Sequence, residues 1–442
     1  MKRHIYKILF LAAIALAGTS CEVQEFDDLN GAEVSSFEES LSRGDLQDLV
    51  GGILYSSRLS LGTYYDDCGV IGREYWRFSG SDPRFTTDLL GGGSAVLDNN
   101  TFYITNPWAG RYRTVKNANL ILEFFENQDL SAQFTAQEIT ATKGFLKTFI
   151  GYELLLNLNL TYDNGIRVDV ADANDLGPVV SRTDALAAIK AMLDEGATDL
   201  SNGGSDFPFF LSGGFAGFDD PSSFRQANRA IAARVAAYRG NMGEVLNALN
   251  DSFFTLDGSN LFEGIFYTFS EDQRDFVNPL FISVAGSSAA QARVVTPSFI
   301  AAANPDDERL SKVVQLAEPI TLDDLSNDYI LFRYKSNSDA IPIIRNEELI
   351  LLYAEANISI NPSETVNALN IIRASAGLTA YTGPTDSAAL TDEMLRQRRY
   401  SLFAEGHRWI DMRRYGRLDQ LPLARPDDNV WEEFPIPLTE NQ

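Results

Sequence analysis

Histidine is almost missing: the chain holds His4 and His407 and no other. A Ser-His-Asp triad or a multi-histidine metal centre therefore has nothing to be built from. Cysteine is equally scarce, with Cys21 and Cys68 alone. If Cys21 is used for attachment, no internal disulfide is possible, and Cys68 reads as a small buried residue. Positive charge is short as well, 36 Lys and Arg against 61 Asp and Glu, a net charge of -25. Phosphate backbones are bound by Lys and Arg clusters, so nucleic acid is excluded as a partner. There is no GxGxxG, and Gly91-Gly92-Gly93 lacks the Lys and helix of a phosphate loop. Neighbouring carboxylates such as Asp66/Asp67, Asp219/Asp220 and Asp306/Asp307 arise by chance in so acidic a chain. They could still serve glycoside cleavage, which needs two carboxyls about 5 to 10 Å apart across a sugar, and a surface glycoside hydrolase is the alternative from a different class. The expectation is a protein that is not an enzyme and uses no cofactor and no metal.

Long hydrophobic runs are lacking too. The apolar stretch from Ile8 to Ala17 is about half the roughly 20 residues that a bilayer core requires. It follows Lys2, Arg3, His4 and Lys7 and precedes Gly18, Thr19, Ser20 and Cys21. That is a signal peptide over residues 1–20, with Cys21 the lipidation site of an exported lipoprotein. Residues 21–35, with Glu22, Glu25, Asp27 and Asp28, read as a lipidated tether to a body over residues 36–442.

What is present in the body is helical periodicity. Apolar spacing predicts helices from Phe37 to Leu61, Trp108 to Asn127, Thr135 to Tyr162 and Thr183 to Leu200, the last capped by Ser181 or Thr183. A helix, turn, helix unit spans Arg225 to Leu249. Its small residues Ala227, Ala230, Ala233 and Ala237 have the close-packing spacing of a tetratricopeptide-type pair. Further helices are expected from Glu347 to Ile360, Glu364 to Ala376 with Gly377 as cap, and Leu390 to Tyr415. Three excursions interrupt them: about 62–107, 203–221 and 252–340. In the last, Phe253 to Tyr267 and Leu280 to Val284 offer short strands at best. The fold class is mainly α, tetratricopeptide-like helical pairs with long irregular loops and a few short strands.

Loops on a rigid scaffold concentrate binding residues. A sugar offers apolar C–H faces and rings of hydroxyls, which call for aromatic platforms flanked by amide, carboxylate or guanidinium groups. The excursion after Gly62 has that mixture, and Tyr64, Tyr65, Asp67, Arg73, Trp76, Arg77 and Trp108 are the expected ligand-binding set. The phenylalanine-rich loop with Phe207, Phe209, Phe210, Phe215 and Phe218 reads instead as an interface patch.

The C-terminal residues Arg398-Arg399, Leu402, Glu405-Gly406-His407-Arg408-Trp409, Asp411, Arg413-Arg414 and Gly416 resemble the signature of SusD/RagB outer-membrane lipoproteins. Tyr353-Ala354-Glu355-Ala356, residues 370–378 and Pro435-Ile436-Pro437 are similar to neighbouring family segments, whereas Gln397 and Ser401 stand where the family commonly has acids. On one continuous helix, Arg398 with Glu405 and Glu405 with Arg408 would pair. Gly406 would admit a neighbouring helix, and Trp409 would fill core. The resemblance implies a single SusD-like domain, lipid-anchored at the cell surface of the outer membrane. It also implies a role as lid to a SusC-like TonB-dependent transporter. The cargo implied is a nutrient: a glycan, or in some relatives a peptide.

Overall fold

The computed structural model describes residues 41–172 and 175–441. The signal peptide, Cys21, the tether and the first turns of the helix expected from Phe37 lie outside these residues. From Ser42 onward the described residues form one compact unit.

Helix α1 is Arg43–Ser56, started by a reciprocal capping box between Ser42 and Asp45. A second helix, α2 (Leu61–Ile71), follows where a loop is expected, and strand β1 (Tyr75–Ser79) comes next. The reason is burial: Tyr64, Tyr65, Cys68, Val70 and Ile71 are all interior, so the segment gains core area despite its glycines. Irregular chain is confined to about residues 80–101. Helix α3 (Phe102–Asn127) starts earlier than the sequence suggests and runs through Pro107, a position that forfeits one ladder bond.

Helices α4 (Ala136–Thr161), α5 (Arg182–Asn202), α6 (Pro221–Tyr238) and α7 (Met242–Asn250) pack each against the next, the expected antiparallel pairing. Caps fix their starts: Thr135 with Glu138 for α4, Ser181 for α5 and Asp220 for α6. Close approach of α4 to α5 demands glycine at Gly144, where a Cβ would lie 2.7 Å from the Gly196 carbonyl. Asn228 of α6 locks the three helices, donating to Thr148 Oγ1 (2.7 Å) and to the Leu193 carbonyl (3.1 Å).

The phenylalanine-rich loop is not an interface patch. Phe207 and Phe209 fold onto Phe145 of α4, and Phe215 onto Phe149 and Phe224. Phe210 alone of the five points outward, 86% exposed. The apolar rings of this loop complete the helical core rather than advertise it.

Residues 252–340 contain more sheet than the sequence indicates. Between α4 and α5, strands β2 (Ile166–Arg167) and β3 (Val179–Val180) already form a short antiparallel pair. Strand β4 is Gly264–Tyr267, the tail of the first expected segment, while Leu280 to Val284 is not a strand. Strands β5 (Gln291–Val295), β6 (Val313–Leu322) and β7 (Leu325–Leu331) join β1 in an antiparallel sheet of order β1-β5-β7-β6. The β6–β7 hairpin turns at Asp323 and Asp324, both at positive φ (51° and 62°), the geometry of a tight two-residue turn. A short helix α8 (Pro297–Ala301) follows β5, and β8 (Ile341–Arg345) pairs with β4.

The chain closes with α9 (Asn346–Asn357), α10 (Pro362–Ser375), α11 (Ser387–Ser401) and α12 (Arg408–Arg414). Gly377 caps α10 at φ 73°, as expected. The helix expected from Leu390 to Tyr415 is broken at residues 402–407, where Ala404 (φ 59°) and Gly406 (φ 79°) are left-handed. Gly406 does face another helix, α2, but from a turn and not from within a helix of its own. It turns the chain against the rings of Tyr64 and Tyr65, whose carbons would lie 3.2–3.4 Å from a Cβ there.

Candidate functional site

Six of the seven residues expected to meet ligand are interior. Tyr64, Tyr65, Asp67, Arg73, Trp76 and Trp108 are each no more than 4% exposed, and Arg77 is half-buried. Tyr64 and Tyr65 meet edge to face at 5.4 Å, and Asn159 Nδ2 donates to the Tyr64 hydroxyl (3.1 Å). The Asp67 carboxyl has no hydrogen-bond partner; burial, with Asp66 beside it, pushes its pKa far above the usual carboxylate range. Arg73 donates to the carbonyls of Val70, Leu90 and Asn429 and so pins the loop at Leu90 to the C-terminal tail. Arg77 sits 3.5 Å from Asp66 and covers the Phe85 ring. Trp76 lies against Phe78, ring planes 3° apart. The sequence placed these groups together correctly in space, but α2 and β1 turn their side chains inward. Burial likewise pushes the Cys68 thiol up, as suits a structural cysteine.

Trp108 is different, because it also borders a cavity. This space, about 940 Å³, lies between the outer face of α3, residues Arg167, Val170, Ala171, Asp172 and Leu176, and the C-terminal residues Thr439 and Glu440. Its size falls within the range of roughly 300–1,000 Å³ that accommodates small-molecule ligands. Trp108 Nε1 donates to Glu440 (2.8 Å), and Arg167 Nε meets the other oxygen of that carboxylate (2.7 Å). The Tyr112 ring meets Trp108 edge to face at 5.0 Å; its hydroxyl donates to the Arg167 carbonyl (2.7 Å) and accepts from the Arg167 N–H (3.0 Å). One end of the cavity is thus an aromatic corner held rigid by hydrogen bonds. Along α3 the wall continues with Lys116, Asn119, Glu123 and Glu126, a helical stripe of donors and acceptors. Leu120, Val170 and Leu176 supply apolar surface. Glu123 and Glu126 stand three residues apart on one helix and so share a wall, unlike the opposed carboxyls of a glycosidase.

Sequence reasoning missed Tyr112, Asn119 and Arg167. Outward polar residues on a long helix look like an ordinary solvated face until Arg167, Val170 and Leu176 are found opposite them. It also missed an open aromatic stack: Tyr55, 43% exposed, lies 4.5 Å from Phe276, and Arg58 covers both rings while pairing with Asp275 at 2.7 Å. No group of His, Cys, Asp and Glu among the described residues has metal-holding geometry, and none of their helices is long and apolar enough to cross a membrane.

Residues 330–435 match the sequence profile of the SusD family. The whole chain is similar in structure to a SusD superfamily protein of Bacteroides vulgatus, with 18% identity over 90% of this chain and 97% of that one, at a TM-score of 0.69. It is also similar to surface glycan-binding protein A of Bacteroides thetaiotaomicron (13% identity, 90% and 96% covered, TM-score 0.67). A third similar structure is NanU of B. fragilis (12%, 90% and 94%, 0.62). This is a SusD-like fold whose residues 330–435 match the SusD family profile. Among curated proteins no sequence relative matches.

Within the SusD-like C-terminal segment the signature charges pair otherwise than a single helix would allow. Because the helix breaks at 402–407, Arg398 pairs with Asp411 of α12 (2.7 Å), and Glu405 reaches Arg345 (3.0 Å) and Arg333 (3.4 Å). Arg414 binds Glu355 (2.8 Å), and Arg234 of α6 forks onto Glu348 of α9 (2.7 and 2.6 Å). These SusD-like pairs tie α6, α9, α11 and α12 together inside the core, where breaking one partner costs about 3–5 kcal/mol. Gln397 and Ser401 keep their place by hydrogen bonds, to Glu393 (2.7 Å) and from Arg309 (3.0 Å). Trp409 is fully buried, as expected. His407 lies 3.8 Å from Glu348, yet burial lowers it to about 4, so it is neutral near pH 7. The signature of the SusD-like chain is an internal brace; the cavity along α3 lies outside that matched segment.

Proposed function

We propose that the chain is a cell-surface capture protein for oligosaccharide. In this reading it is lipid-anchored at Cys21 in the outer membrane and delivers its cargo to a SusC-like TonB-dependent transporter. The observation that carries the glycan assignment is the cavity along α3. It joins a fixed aromatic corner, Trp108 and Tyr112, to a stripe of amide, ammonium and carboxylate groups, the chemistry that sugar rings require. One of the proteins similar in structure is a surface glycan-binding protein, which supports the same reading. Trp108 then acts as a ligand-facing residue. Tyr64, Tyr65, Asp67, Arg73 and Trp76 hold the scaffold behind it, and Arg77 buttresses the neighbouring loop. Anchor and transporter rest on the resemblance of the signal and the C-terminal signature to SusD/RagB lipoproteins.

The test is a glycan and peptide array probed with the chain lacking residues 1–21, followed by calorimetry on the hits with wild type and with Tyr112→Ala and Asn119→Ala. Saturable glycan binding weakened by both substitutions is expected. Peptide hits alone would transfer the reading to a peptide-capturing protein of the same build. Release of new reducing ends from a bound glycan would make it a surface glycoside hydrolase.

A further inference from the structure

Four arginines converge on a small pocket on the outer side of the C-terminal helices. Arg396 and Arg399 come from α11, Arg408 from α12, and Arg417 from the turn beyond it; together with Tyr400 and Met412 they line a space of about 290 Å³. On α11 the pocket takes Asp392, Leu395, Arg396 and Arg399, a stripe at helical spacing. The inner faces of these two helices carry arginines whose charge is met by buried carboxylates, as at Arg398 with Asp411. The outer face does not follow that rule. Arg417 pairs with Asp392, but among the described residues no carboxylate lies within ion-pair distance of Arg396, Arg399 or Arg408. Their hydrogen-bond partners are neutral: Arg396 donates to the Ala302 carbonyl (2.5 Å) and Arg399 to Ser298 Oγ (3.0 Å), with the Arg399 guanidinium over the rings of Phe299 and Tyr400, while Glu74 acts on Arg399, and Glu74 and Asp411 on Arg408, only from beyond ion-pair distance.

In a chain of net charge -25, acids are abundant enough to have neutralised this cluster. Like charges one turn apart on a helix destabilise it, and partial burial sharpens the repulsion. Burial first, and Arg399 second, draws Arg408 down to about 10. Arg399 is lowered by burial too, with Arg396 adding repulsion. Planar guanidinium forks grouped with a single carboxylate, Asp392, among the four of them are the arrangement that binds sulfate or phosphate oxygens bidentately.

We propose that the pocket bounded by Arg396, Arg399, Arg408 and Arg417 is a binding site for a tetrahedral oxyanion, sulfate or phosphate. Its volume sits at the lower edge of the range for small-molecule sites, so it takes the anionic group and little more, whether free or esterified to a sugar. It is built from residues that the cavity along α3 does not use, so either site can fail without the other.

The experiment is thermal unfolding of the chain lacking residues 1–21 in sodium sulfate and in sodium phosphate, against sodium chloride at matched ionic strength. It is repeated with glucose 6-sulfate. A saturable rise in midpoint with sulfate or phosphate, absent with chloride, is expected. The variant Arg396→Gln/Arg399→Gln removes two forks from half-exposed or exposed positions, so that the chain still folds. Its affinity should drop at least about tenfold, the equivalent of losing one charge-assisted hydrogen bond. Tighter binding of glucose 6-sulfate than of inorganic sulfate would identify an ester as the ligand; equal or weaker binding would identify the free ion. The proposal fails if sulfate and phosphate do no more than chloride, or if the double variant keeps the full response.

Discussion

The run from Tyr64 to Trp76 and the face of α3 from Trp108 to Glu126 carry much the same residue types: aromatic rings with carboxylate, amide and cationic groups. They end in opposite environments. In the first, the rings of Tyr64 and Tyr65 are clamped by Gly406 and Asn159, and Asp67 is so enclosed that its carboxyl is driven toward the neutral form. In the second, polar groups one turn apart face a cavity of about 940 Å³. Composition thus marks a segment as able to bind a sugar, but only the path of the neighbouring chain decides whether its side chains are reachable.

The sharpest way to break this contrast is Trp76→Ala. An interior tryptophan truncated to alanine should cost about 3–5 kcal/mol of stability by denaturant titration. Glycan affinity of the molecules that remain folded should be unchanged. A loss of affinity with intact stability would return Trp76 to the ligand site.

Acid should strain the interior next. Burial lowers the folded-state pKa of His407 to about 4, below the ordinary 6.5, so the unfolded chain binds the proton more readily in between. Stability therefore falls as pH drops from about 6.5 to 4, by something on the order of 3 kcal/mol. Glu348, held near 2 against burial by Arg234 and His407, continues the loss below the ordinary 4.5. Glu74, raised by burial to about 8, acts in the opposite sense, its contribution fading as pH rises from 4.5. His407→Gln should flatten the limb between pH 6.5 and 4 specifically, and an unchanged limb would assign the acid sensitivity elsewhere.

On the cavity wall the effects should be smaller for folding and larger for binding. Tyr112→Ala is expected to weaken a glycan hit about tenfold, roughly 1.4 kcal/mol, with a lesser change in the thermal midpoint. If stability collapses while affinity survives, α3 is one more core element and the contrast disappears. The smallest effect belongs to the open stack. Tyr55→Ala should shift stability by only about 0.5 kcal/mol, since the residue is 43% exposed and outside the core. Calorimetry on the same glycan should detect no change unless the Tyr55–Phe276 platform holds a second sugar.

Part of this architecture was readable beforehand, and particular residues show why. Helices α4 to α7 declare themselves because apolar periodicity and capping residues such as Thr135, Ser181 and Asp220 agree with the tertiary packing. Strand β6 and the break at 402–407 were hidden. The first depends on a hairpin partner in β7, and the second on a non-glycine residue, Ala404, forced left-handed by its surroundings.

By itself the sequence determined the helical class, the helices that became α4 to α7 with the close-packing spacing of α6 and α7, and the C-terminal signature. These follow from local spacing and from composition, which need no knowledge of what lies across the fold. Only the tertiary structure decided which aromatics are core, which carboxylate each signature arginine meets, and where the cavity and the arginine-rich pocket lie. Those outcomes depend on contacts between residues far apart in the chain, where a side chain's role is set by what covers it.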